Sequence, residues 1–366
     1  MFVTPNKHIF LIAVILVLIS LFIGCSPATA QTVQSFPTHV PHKTVTIPLR
    51  VLAQQRGILI GAAVNMDALN SDGQYGATLA REFNEATPEN VMKFNAVHPQ
   101  PNVYTFQLAD ELVQFAQAHG MTIHGHNLVW YRALPSWVQN GHFTRDQLMT
   151  ILKNHIFTVV SHFRGSVNIW DVVNEAVADN GTLRQNIWLQ TIGPDYIDLA
   201  FQWAYEANPQ AHLFYNDYGD EGLGVKSNAV YNLLKGMVQR GIPVYGVGLQ
   251  MHVGTTSYPS PSDVLKNMQR LAALGLKVQI SEMDVEVQND TRPMAQRLAA
   301  QATIYGDMLH DCLSVHACIS FATWGFTDRY SWIPAATGHA DEPLIFDTSY
   351  QPKPAYKALE QVLETT

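Results

Sequence analysis

The chain has 366 residues, a formal net charge of −8 and only 14% charged residues. A negative balance of this kind argues against nucleic acid and against an acidic surface as partners. With 47% apolar residues, 7 Trp, 14 Tyr and 16 Phe, the chain can bury a large core and present flat aromatic faces to an uncharged ligand such as a carbohydrate.

Residues 1–30 read as an export signal. Lys7 and His8 precede an apolar run over 9–23 that only Ser20 interrupts. The run has the length of a secretory core, not of a membrane span. Two processing sites compete. Phe22-Ile-Gly-Cys25 has the form of a lipoprotein box in which Cys25 carries the lipid, and Ala28-Thr-Ala30 is an ordinary small-x-small cleavage site. Either one places the mature protein outside the cell, free or anchored at the surface by lipid. Residues 31–48 are rich in Gln, Thr, Pro and His without an apolar period and read as a disordered spacer. Residues 49–366 have the composition of one globular domain with no further linker or repeat, roughly 315 residues in all, inside the range of large α/β barrels.

Within that domain, β-branched apolar runs alternate with helical periodicity. Strands are predicted at 58–64, 90–93, 122–130, 167–174, 212–216, 244–250, 277–282 and 318–324. Helices are predicted at 72–83, 108–119, 144–161, 195–208, 227–240, 262–274 and 293–313. Ser262 is read as the cap of its helix, and Gly120, Gly241 and Gly275 close theirs. Eight strands alternating with helices predict a single-domain α/β fold, the (β/α)8 TIM barrel.

Two of these strands carry a glutamate at the C-terminal end, where such barrels do chemistry. Val167-Asn-Ile-Trp-Asp-Val-Val-Asn-Glu-Ala176 places Glu175 after the fourth strand. Leu276-Lys-Val-Gln-Ile-Ser-Glu-Met-Asp-Val285 places Glu282 after the seventh. Two carboxyl groups about 5–5.5 Å apart could cleave a glycosidic bond with retention, one as proton donor and one as nucleophile. Either glutamate by itself would more ordinarily be a strand-end surface residue. The other strand ends change that balance. Glu89, Asn90 and Lys93 follow strand two, and His124, His126, Trp130 and Tyr131 follow strand three. Tyr215, Asn216, Asp217 and Tyr218 follow strand five, Gln250 and His252 strand six, and Trp324 and Trp332 strand eight. Amides, imidazoles and indoles on one rim suit a hydroxyl-rich ligand with apolar C–H faces. Cys312 and Cys318 form an even pair in an exported chain, which leaves open either a disulfide or two buried thiols.

Thr87-Pro-Glu-Asn-Val-Met-Lys93, Gly125-His-Asn-Leu-Val-Trp130, Trp170-Asp-Val-Val-Asn-Glu-Ala176, Gly248-Leu-Gln-Met-His252, Ile280-Ser-Glu-Met-Asp284 and Thr323-Trp-Gly325 together resemble the family 10 glycoside hydrolases. These are endo-β-1,4-xylanases built as (β/α)8 barrels, and the likeness runs in order from about residue 49 to 363. It implies Glu175 as acid/base, Glu282 as nucleophile, and Asn174 as the amide that meets the sugar 2-hydroxyl. His252 and Asp284 match the residues that hold the nucleophile. Glu89, Asn90, Lys93, His126 and Trp130 match the glycone side, with Trp324 and Trp332 over it. Gln250 matches a contact near the nucleophile, and Tyr218 a position on the aglycone side. Cys312 and Cys318 match a disulfide common in the family. No metal or other cofactor is implied, the partner is xylan and its oligosaccharides, and a monomer is expected.

Two positions depart from the pattern. Tyr131 stands where the family usually has histidine, and a phenol carries no positive charge, so the network near the acid/base should titrate differently. Gly219 stands where asparagine often follows the Tyr-Asn-Asp-Tyr run, which should loosen the loop on the aglycone side. Two other readings are weighed. His124-Gly-His126 puts two imidazoles on one strand face, as in a metal-dependent barrel hydrolase; unchanged activity in excess chelator dismisses it. Cys25 motivates a non-catalytic glycan-binding protein held at the surface; release of reducing sugar from xylan dismisses that.

Overall fold

The computed structural model describes residues 47–365. The predicted export signal, with Cys25, and residues 31–46 of the spacer lie outside them. Eight parallel strands form the barrel: β1 (Leu59–Val64), β2 (Glu85–Pro88), β3 (Thr122–Val129), β4 (Ile169–Asn174), β5 (His212–Asp217), β6 (Gly246–Leu249), β7 (Lys277–Glu286) and β8 (Cys318–Thr323). Each pairs with the next, β8 pairs with β1, and so no edge is left open. The predicted (β/α)8 barrel is the observed fold. A short strand, His252–Gly254, adds to the outer half of β7 and sets His252 beside Asp284 in register.

The helices form the outer layer because each offers an apolar stripe to the strands. Gly73–Glu82, Gln107–Ala118, Arg145–His162, Tyr196–Ala207, Val225–Gln239, Pro261–Ala272 and Met294–Leu313 match the predicted helices within a few residues. Gly120, Gly241 and Gly275 end theirs at positive φ, as the caps predicted.

Three predictions need correction. Strand two lies at Glu85–Pro88, and the predicted stretch 90–93 is a turn in which the Lys93 amide donates to the Asn90 carbonyl at 3.0 Å. Glu-Ala-Thr-Pro has no apolar run to betray it, since Glu85 is buried in the barrel, where Ser320 donates to one of its oxygens. Ser260, not Ser262, caps its helix, accepting from the Asp263 amide at 3.2 Å with Pro261 in the first turn. Finally, Pro354–Thr365 is a helix that was not predicted. It buries Tyr356, Leu359 and Leu363, and Arg56 donates to the Leu363 carbonyl at 2.6 Å, tying it to the helix Leu49–Gln55 that precedes β1. Cys312 and Cys318 form a disulfide that links the end of Met294–Leu313 to the start of β8.

Among the helices around the barrel, His98 and His155 stack with Phe94, and His98 also stacks with Tyr104. Burial pushes the His98 imidazole down to about 4 and His155 well below its ordinary range. A free imidazole titrates near 6.5, so between pH 6.5 and about 4 the unfolded chain binds more protons than the folded one. The stability that neutral His98 contributes is therefore present above pH 6.5 and is lost as the pH falls toward 4. Thermal melts from pH 7 to 4.5 should show Tm falling, by roughly 2 °C for each kcal/mol lost. The His98→Phe variant should lose less over the same range. An equal slope in both proteins would contradict this account.

Candidate active site

The site grows from strand ends. β4 finishes in Asn174, and Glu175 follows at φ 56°, a left-handed conformation that costs an L residue about 1–2 kcal/mol. The Glu175 amide still donates to the Asn216 carbonyl at 2.8 Å, so backbone pairing with β5 continues where the chain turns. β7 carries Glu282 in its middle and Asp284 further out. The chain after β6 passes through Gln250, then Met251 at φ 66°, and delivers His252.

Amides join the two glutamates. Asn216 Nδ2 donates to Glu282 Oε1 at 2.6 Å and to Asn174 Oδ1 at 2.9 Å. Gln250 Nε2 donates to Asn174 Oδ1 at 3.2 Å and to Glu175 Oε1 at 3.4 Å, and Asn174 Nδ2 donates to the same Glu175 oxygen at 3.3 Å. The other oxygen of Glu282, Oε2, lies 3.2 Å from His252 Nε2, and His252 Nδ1 lies 3.0 Å from Asp284 Oδ2. Trp332 Nε1 donates to that same Asp284 oxygen at 2.9 Å. Burial disfavours a charged His252 ring, but Asp284 and then Glu282 outweigh it and hold the imidazolium well above its usual range.

Gly248 makes room for this network. A Cβ there would stand 2.2 Å from Asn216 Oδ1 and 3.0 Å from Ser281 Oγ, the hydroxyl that donates to Asn216 at 2.7 Å. Gly248→Ala must push the Asn216 amide off both its acceptors, the Glu282 carboxylate and the Asn174 carbonyl oxygen. The expected result is a fall in kcat of roughly ten- to a hundredfold, the scale of a misplacement of about 1 Å. Initial rates on a linear oligosaccharide check it, and wild-type kcat in the variant would refute it.

Glu85, His124, Asp171 and His126 form a line of alternating carboxyl and imidazole groups beneath the site. His124 faces Asp171 Oδ1 at 2.9 Å through Nε2 and Glu85 at 3.7 Å through Nδ1, and His126 Nδ1 meets Asp171 Oδ2 at 2.9 Å. Burial opposes charge at His124, but Asp171 and Glu85 raise its pKa to about 10. Burial likewise opposes the Asp171 carboxylate, yet the two imidazoles hold it down to about 2. The imidazoles of His124 and His126 thus share one carboxylate and do not converge on an open metal position. His126, Asp171 and Glu282 do approach one another, because His126 Nδ1 is also 3.9 Å from Glu282 Oε1.

A cavity of about 300 Å³ opens above Glu175 and Glu282. Lys93, His126, Trp130, Tyr218, Gln250, His252, Trp324 and Trp332 line it, as does Asn174. Lys93 Nζ stands 5.1 Å from the Trp130 ring and 5.8 Å from the Trp324 ring. Asp284 stands behind His252. Glu89 and Asn90 stand behind Lys93, which donates to Asn90 Oδ1 at 3.0 Å while Asn90 donates to Glu89 at 3.2 Å. Burial lowers the Lys93 pKa and raises that of Glu89.

Four residues of the site are not marked out by the sequence. Asn216 stands on the predicted rim, and its role shows only in the bridge it makes between Asn174 and Glu282. Asp171 falls inside a mostly apolar strand run, and only its burial between two histidines marks it out. Arg132 lines the cavity, and Arg184 supports its wall. Gly219 takes φ 67°, and its amide donates at 3.0 Å to Glu221, which also accepts from the Met251 amide at 3.0 Å. The loop after β5 is therefore anchored beside the expected weak point.

Residues 48–362 match the model of glycosyl hydrolase family 10. The chain is 44% identical over 320 residues to endo-1,4-beta-xylanase B of Thermotoga neapolitana, covering 87% of this chain and 92% of the relative. It is 40% identical over 309 residues to a beta-1,4-xylanase of Dictyoglomus thermophilum, covering 81% and 86%. Among solved structures it is similar to native xylanase 10B of Thermotoga maritima, with a TM-score of 0.84, 43% identity and coverage of 87% and 98%. The same score and identity relate it to xylanase 10B of Thermotoga petrophila in complex with xylobiose, covering 87% and 97%.

Proposed function

The chain belongs to glycosyl hydrolase family 10, and on that premise we propose that Glu175 and Glu282 are its working pair. It is an endo-1,4-β-xylanase, a retaining glycoside hydrolase that cuts internal bonds of xylan. The observation that carries the assignment is the amide bridge. Asn216, Asn174 and Gln250 tie Glu282 to Glu175 at the mouth of the barrel, beneath a cleft lined with indoles.

In this reading Glu282 attacks the anomeric carbon while Glu175 gives its proton to the departing glycosidic oxygen. The C–O bond breaks and a glycosyl ester of Glu282 forms. Glu175, now a carboxylate, takes a proton from water, and the water oxygen displaces Glu282. Asn216 and His252 fix the two oxygens of Glu282, and Asp284 with Trp332 fixes His252. Asn174 is set to donate to the sugar 2-hydroxyl. Trp324, Trp130, His126, Lys93 and the groups behind it hold the glycone, and Tyr218 meets the aglycone.

Export is part of the proposal. The apolar run over 9–23 and the two processing sites support it, and the Cys312–Cys318 disulfide fits an oxidising compartment. No helix among the described residues is long and apolar enough to cross a membrane. A monomer is proposed.

Proton NMR of the first products from linear xylan tests the mechanism. Initial β-anomers of mixed length are expected. Initial α-anomers would mean inversion and would require carboxyl groups about 6.5–9.5 Å apart.

A further inference from the structure

Beside Glu175 the cleft wall is cationic in a way the reaction does not use. Arg132 is exposed and lines the cavity, with its guanidinium 5.3 Å from the centre of the Tyr131 ring. Arg184 stands 4.7 Å from the same ring, and donates to the Glu175 carbonyl at 3.0 Å, the Val177 carbonyl at 3.2 Å and the Tyr218 hydroxyl at 3.0 Å. None of the three acceptors is a carboxylate. Arg132 and Arg184 have no carboxylate partner among the described residues; Arg50, Arg56 and Arg297 likewise hold only carbonyl oxygens, so it is its place in the cleft wall that sets Arg132 apart. Tyr131 cannot supply the missing charge, since burial raises the pKa of its phenol and keeps it neutral. Two like charges beside one neutral ring repel, and an anion held by the exposed one would relieve the repulsion.

A molecule with a formal charge of −8 that keeps an unpaired guanidinium in its cleft has a local attraction opposed to its overall charge. Guanidinium groups bind carboxylates through two parallel hydrogen bonds. Arg132 meets the Tyr131 ring, which Arg184 also meets while holding the Glu175 carbonyl, and this puts it on the Glu175 side, where the leaving part of the chain must sit.

We infer that Arg132, backed by Arg184 across Tyr131, is a specificity-determining residue that binds the carboxylate of an acidic substituent on the aglycone-side sugar. This rests on the xylanase reading above and names the decorated substrate it prefers: xylan bearing uronic acid. Tyr131 offers its ring to both guanidiniums.

The test compares kcat/KM on a uronic acid-substituted xylo-oligosaccharide, on the same oligosaccharide with its carboxyl reduced to the alcohol, and on the unsubstituted one. In the wild-type enzyme the acidic substrate should exceed its reduced form by about fivefold, which corresponds to about 1 kcal/mol for a partly exposed ion pair. Salt at 0.5 M should shrink that ratio. Arg132→Glu should bring the ratio to one or below, and Arg132→Lys should restore part of it. Equal rates on the acidic and reduced substrates in wild type, or a ratio unchanged in Arg132→Glu, would overturn the inference while leaving the xylanase reading intact. No cleavage of any of the three would overturn that reading itself.

Discussion

Glu282→Gln is expected to lower kcat on xylan by at least about a thousandfold, the scale on which removing a covalent nucleophile acts. The amide keeps the size of the side chain and can still accept from Asn216, whose donor sits 2.6 Å from Oε1. Its other end presents an NH2 to His252, which now faces the carboxylate at 3.2 Å. The imidazolium loses one of the two anions that hold its proton, although Asp284 remains at 3.0 Å. Binding of a xylo-oligosaccharide should therefore survive, because the indoles and amides around the cleft are untouched. Rates and calorimetric affinity for the same ligand, measured side by side, check this. Near-normal turnover in Glu282→Gln would mean that another group attacks the sugar.

Glu175→Ala should separate the two steps of the reaction. On xylan the leaving group is an alkoxide of high pKa, and loss of the general acid should cost about 10²–10⁴ in kcat. An aryl xylobioside carries a leaving group that needs no proton, so its first step should proceed at a rate near that of wild type. The second step still lacks its base, and the glycosyl ester on Glu282 should accumulate as a burst followed by slow turnover. Azide, a nucleophile that needs no deprotonation, should enter the space of the missing carboxylate and restore the second step. Mass spectrometry of the trapped protein would place the ester. A variant that loses xylan and aryl xylobioside hydrolysis equally, with no burst, would remove Glu175 from the acid/base role.

How far the sequence could be read depended on the kind of signal each element carried. Strands buried on both faces show as β-branched runs, so seven of the eight are found with ends within about four residues. Strand two escaped because Glu85 sits inside the barrel, and a buried carboxylate breaks the apolar pattern that reveals a strand. The C-terminal helix escaped because its stripe of Tyr356, Leu359 and Leu363 is short and lies at the end of the chain. The residues at strand ends were legible because a barrel places every such end on one rim, whatever its tertiary details. Glu175, Glu282, His252 and the tryptophans could therefore be named before any distance was known.

Local sequence determined the barrel, the rim and the pair of glutamates, because alternation of period and the position of polar residues at strand ends are properties of short segments. Only the tertiary structure decided how these residues act on one another. Asn216 bridges Asn174 on β4 and Glu282 on β7, contacts 42 and 66 residues away in sequence. Asp171 lies between two histidines of the neighbouring strand because β3 and β4 pair in that register. The protonation of His252, and the cationic wall around Tyr131, come from charges brought together by closure of the sheet. An electrostatic interaction depends on distance and burial, and neither can be read until strands far apart in the chain stand side by side.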